Sequence, residues 1–134
     1  MSTLKVSNIQ SNSATAPPAI QNNAGTEYGT FCRAWINFNG VTPAINASFN
    51  VGSLVDDGVG RFSVVFTNAF PDANYAFAGS GGYRDGTDDA NGFIVRPRRT
   101  TTITINASRC GLTICDAGNN FNNDPVIANV IFFR

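Results

Sequence analysis

The sequence predicts an all-β fold, a small antiparallel sandwich or barrel of jelly-roll-like type carried behind an extended N-terminal arm. Three observations lead there. Helix-favouring residues are scarce: Lys5 is the only lysine and Glu27 the only glutamate among 134 residues. Asn, Thr, Val, Ile, Phe and Gly dominate instead, which is the vocabulary of strands and turns. From position 31 onward, short apolar runs recur with turn residues every ~8 to 12 positions. The chain therefore divides into an arm, 1–30, and a β domain, 31–134.

The arm opens on Leu4 to Ile9, which has the pattern of one short strand. Residues 11–18 then lack any apolar period and end in Pro17-Pro18, an extended backbone without ladder bonds. Residues 21–26 are turn and loop chemistry. Such a segment buries too little apolar surface to offset its own ordering entropy. Leu4, Val6, Ile9 and Ile20 are spaced as anchors, and the arm is expected to dock along a partner.

In the domain, 31–38 is a strand ending at the turn pair Asn39-Gly40. Residues 45–51 alternate, with Ile45, Ala47, Phe49 and Val51 expected on one face. Leu54 and Val55 are a short apolar pair before the turn 56–60. Residues 61–67 align Phe62, Val64 and Phe66. Another strand covers 75–78, and the glycine-rich 79–92 reads as a long flexible loop. Residues 93–96, 100–106 and 112–115 are further strands, and 116–125 is a second polar loop. The nearly continuous apolar run 126–133 predicts a central strand or one buried on both sides. Left at an edge it would be an aggregation hazard, which argues for burial between subunits.

Few groups suited to chemistry are present. The absence of histidine removes the commonest general acid–base and metal ligand. Cys32, Cys110 and Cys115 are an odd, scattered set, expected to be buried free thiols. Asp56 and Asp57 flank Gly58 and read as turn residues rather than a glycosidase pair. Asp85, Asp88 and Asp89 lack the spacing of a calcium loop. Asn46 and Asn106 begin glycosylation-type triplets but read as solvent-side strand residues. Arg96, Arg98 and Arg99 fit either a grip on an acidic partner or a polar strand end with packed stems.

Nine basic and nine acidic residues balance, so nucleic acid is not the expected partner. No run is long enough to insert in a membrane, and no secretory leader is expected. No enzyme activity, cofactor or metal is expected. The loop residues Tyr83, Arg84, Asp85, Asp88, Asp89, Asn119, Asn120 and Phe121 are candidate contacts, since aromatic and Asn-rich loops suit adaptable recognition.

Residues 2–10, then 32–40 with Ala34-Trp35-Ile36-Asn37-Phe38-Asn39-Gly40, then 48–60 and 66–75, resemble tail-fibre-like and virion structural proteins of marine and freshwater phages. The similarity covers residues 2 to about 80. It implies a virion protein, made in the cytoplasm of a bacterial host, that forms a homo-oligomer, usually a trimer. It also implies attachment to other virion proteins through the N-terminal region. On this reading the distal loops meet a host surface glycan or protein. The alternative is a capsid decoration or cement protein whose arm lies on the capsid. Trp35, Phe38, Phe49, Phe62, Phe66, Ile131 and Phe133 are then expected as core or subunit interface.

Overall fold

A computed structural model of the chain describes residues 6, 9–10, 20–82, 92–98, 105–118 and 122–134, apart from the Tyr28 side chain. It divides into two compact units, Met1–Phe31 and Cys32–Arg134. In the first, β1 (Ile20–Gln21) and β2 (Glu27–Gly29) pair antiparallel. Asn22 builds the turn between them: its Oδ1 accepts the backbone N–H groups of Ala24 and Thr26 at 3.0 and 2.9 Å. A short polar side chain that mimics a backbone acceptor is the reason Asn is favoured there.

The second unit is built from β3 (Cys32–Asn39), β4 (Ala44–Phe49), β5 (Val51–Asp56), β6 (Arg61–Phe66), β7 (Ala76–Gly82), β8 (Phe93–Pro97), β9 (Arg109–Asp116) and β10 (Ile127–Phe133). All pairings are antiparallel, and the fold is all-β. The eight strands form one sheet in the order β4-β3-β10-β7-β8-β9-β6-β5, curled nearly into a barrel. The meander β7-β8-β9 sits between β10 and β6. This is the expected small antiparallel β fold, in its barrel form with one continuous sheet.

Alternation decides what the curl encloses. Ala34, Ile36 and Phe38 of β3, Phe62, Val64 and Phe66 of β6, Leu112 and Ile114 of β9, and Ala128, Val130 and Phe132 of β10 face inward and are buried. One end is filled by aromatics: Phe66 lies 4.6 Å from Phe70, 5.7 Å from Tyr75 and 5.1 Å from Phe132, ring centre to centre. Tilted and edge-on rings of this kind add to plain area burial. Tyr75 donates its hydroxyl to the Arg109 carbonyl at 2.9 Å, so the one polar tip in that cluster is satisfied.

Several sequence expectations change here. The single strand expected over 45–51 breaks at Asn50, the one described non-glycine residue with a left-handed backbone, φ 55°. The chain bends there from β4, which pairs with β3, into β5, which pairs with β6. Asn50 Nδ2 donates to the carbonyls of Arg33 and Asn68, and its Oδ1 accepts the Asn68 N–H at 2.8 Å. The extra residue at Asn46 in the β3–β4 register also splits the expected face. Ala47 and Phe49 point outward beside Asn37 and Trp35, while Ile45 pairs with inward-facing Phe38. All six residues of β4 are exposed.

Gly79, Gly81 and Gly82, expected in a flexible loop, belong to β7. A Cβ on Gly79 would meet the Asn129 carbonyl at 2.8 Å and Val130 and Val95 at 3.1 Å. Glycine is required there because neighbouring strands approach closely. The expected strand 112–115 extends to Arg109–Asp116. The last strand is central, between β3 and β7, but buried on one side only, so the edges are β4 and β5. Most of the expected strand 100–106 lies outside the described residues.

Asn50→Ala removes the bonds that join three segments and places alanine in a left-handed conformation, so a loss of about 2 to 3 kcal/mol in denaturant unfolding is expected. Asn50→Gly keeps the backbone freedom and is expected to lose about half as much.

Candidate functional site

Among the described residues, the outer face of the sheet carries a row of exposed large apolar side chains. Strand pairing places Phe49, Trp35, Ile131 and Ala78 side by side across β4, β3, β10 and β7. Phe49 is 55%, Trp35 38% and Ile131 41% exposed. The adjacent row is Ala47, Asn37, Asn129, Ser80 and Ile94, running on into β8. Neither row contains a charged residue.

The asparagines of the second row bind one another. Asn46 Nδ2 donates to Asn37 Oδ1 at 2.8 Å, and Asn37 Nδ2 donates to Asn129 Oδ1 at 2.6 Å. Amides matched in this way satisfy part of their own polarity, which lowers the cost of covering them. At strand spacings of ~4.8 Å the two rows span a footprint on the order of 300 Å². Charge depletion with aromatic enrichment is the composition of an interface core.

The expected core or interface residues separate accordingly. Phe38, Phe62 and Phe66 are core. Trp35, Phe49 and Ile131 lie outside, and Phe133 is half-buried at the end of β10. In the arm, Val6, Ile9 and Ile20 are exposed, and Leu4 lies outside the described residues. The expected contacts Tyr83, Arg84, Asp85, Asp88, Asp89, Asn119, Asn120 and Phe121 also lie outside them.

Charged groups elsewhere are committed to the fold. Asp56 Oδ1 accepts the Gly58 N–H at 2.9 Å, and Asp57 Oδ2 accepts the Ser63 hydroxyl at 2.6 Å. Arg98 Nη1 lies 3.7 Å from Asp57 Oδ2, with both side chains largely buried. That nitrogen is itself buried and makes no hydrogen bond, so the pair holds by charge rather than by a close contact. Of the three arginines weighed together, Arg98 is thus balanced internally, Arg96 is half-buried on β8, and Arg99 lies outside the described residues. At the surface, Arg134 donates two hydrogen bonds to Asp72, at 2.9 and 2.7 Å. Those bonds, with the Asn74 N–H, hold the Asp72 carboxyl down at about 2, against an ordinary 3.8.

Cys110 and Cys115 are buried, while Cys32 is half-buried. Burial pushes the Cys110 thiol up to about 12 and raises the Tyr75 phenol beside it. Among the described residues no group of three or more His, Cys, Asp or Glu side chains is placed to hold a metal ion. Also among them, no helix is long and apolar enough to cross a membrane.

Sequence patterning had pointed to Trp35, Phe49 and Ile131, but not to the rows they form with Asn37, Asn129 and Ala78. The spacing of Asn37 between Trp35 and Phe38 was the available signal, since period-two alternation puts Asn37 and Trp35 on one face. Matching them to Asn129 and Ile131 required the strand order. No protein-family model matches the chain, and no curated protein or solved structure is significantly similar to it.

Two measurements check this chemistry. A thiol reagent at neutral pH is expected to modify Cys32 rapidly in the native protein and Cys110 and Cys115 only on unfolding, read by mass spectrometry. In an NMR titration the Asp72 carboxyl is expected to show a midpoint near 2. Its contact with Arg134 then contributes fully above the ordinary 3.8 and is lost as pH falls through about 2.

Proposed function

We propose that the chain is a structural module of a phage particle, a tail-fibre or tail-associated protein that assembles with copies of itself. The carrying observation is a pair of adjacent outer-face rows without a charged residue, one of them holding Phe49, Trp35, Ile131 and Ala78. A second copy of the chain is the partner this face suits. Its aromatic and aliphatic row gives a dry centre, and the linked asparagines give polar contacts that need no counter-charge.

The virion assignment is supported by the likeness of residues 2 to about 80 to tail-fibre-like proteins. In this reading residues 1–30 attach the module to other virion proteins, with Val6, Ile9 and Ile20 as exposed apolar anchors. The segments 79–92 and 116–125 supply the surface offered to a host glycan or protein. Their Asn, Asp, Gly and Tyr content suits that role.

Light scattering on the size-separated full chain is expected to give an oligomer, and Trp35→Asp with Ile131→Asp a folded monomer. A wild-type monomer at high micromolar concentration overturns self-assembly. Labelling phage particles with an antibody to the chain is expected to mark tails, and labelling confined to capsids or absent from particles overturns the tail reading.

A further inference from the structure

Resting on that reading of self-assembly, we infer that the second copy joins edge to edge at β4, two β4 strands pairing antiparallel about a two-fold axis. Area gives the first reason. A stable interface covers about 800 Å² on each partner. The outer-face rows supply less than half of that, so the contact extends onto neighbouring surface. β4 is the strand at which the Phe49 row ends.

The edge itself gives the second. All six residues of β4 are exposed, and none is charged or proline. No described backbone hydrogen bond outside the sheet ladders involves these residues. Apart from the bulge at Asn46, β4 carries none of the guards that keep an edge from pairing, and such an edge is a template for another strand. The other edge, β5, carries Asp56 and three half-buried side chains, so it is the less available one.

The sequence of β4 complements itself. Asn46 bonds outward to Asn37, so Asn46 and Ala47 lie on the outer side together and the alternation shifts by one. In an antiparallel pair centred between Asn46 and Ala47, Phe49 of one copy falls opposite Ala44 of the other. Both are on the outer side, a large residue against a small one. Ser48 falls opposite Ile45 on the inner side, and Asn46 opposite Ala47 at the axis. Each contact is made twice, as a two-fold requires. The row Phe49, Trp35, Ile131 and Ala78 then runs on into its copy across one joined sheet.

The test is the mass of the full chain by light scattering, with Ile45→Lys as the diagnostic variant and Val59→Lys, at an exposed turn, as control. An even-numbered assembly is expected, with the dissociation constant raised at least 100-fold by Ile45→Lys and unchanged by Val59→Lys. A trimer leaves self-assembly standing and overturns the edge pairing. So does an Ile45→Lys protein that stays folded and associated while Trp35→Asp with Ile131→Asp dissociates. If Ile45→Lys does not fold, amide exchange of residues 44–49 in the wild type decides. Protection that rises with protein concentration supports the paired edge, and protection independent of concentration overturns it.

Discussion

One sheet of eight strands has to curl back on itself to bury its inner face, and Asn50 is the corner that joins its two edge strands. A strand that turned there without a partner would leave carbonyls of Arg33 and Asn68 uncovered. The Asn50 amide binds both, and its own carbonyl accepts the Thr67 N–H at 3.2 Å. The left-handed backbone at φ 55° makes the corner sharp enough for β4 and β5 to serve opposite ends of the sheet. Asparagine is among the few residues that combine tolerance of that conformation with a side chain able to bind backbone on both sides.

The bend has a consequence for the two lips it creates. β5 turns its side chains partly into the core, where Val51 and Leu54 pack against the buried cluster. β4 projects away, with both faces and one edge in solvent. The division into inner and outer work is therefore uneven. The inside is closed by aromatic packing around Phe66, and the outside carries an apolar row that is exposed among the described residues.

How much of this was legible in the sequence follows from what each signal reports. Composition and turn spacing carried the all-β class, because both depend on local preferences. Phe62, Val64 and Phe66 were read correctly as one face because their strand is regular. Ile45 to Val51 misled because a bulge at Asn46 and a corner at Asn50 each reset the alternation within one short run. Gly79 to Gly82 misled for the opposite reason: local preference says loop, and the close approach of Asn129 and Val95 demands glycine inside a strand. The outer rows were invisible as rows, since Phe49, Trp35 and Ile131 meet only through pairings that sequence order conceals.

Trp35 stands in the outer apolar row, one strand in from the β4 edge, and is the only tryptophan in the chain. Its indole is part in water and part against its cross-strand neighbours. Emission excited at wavelengths that tyrosine does not absorb therefore comes from a single place, the very surface whose covering is in question. A blue shift in that emission would mark the face going dry, and its wavelength in the intact protein is a built-in gauge of whether anything sits there.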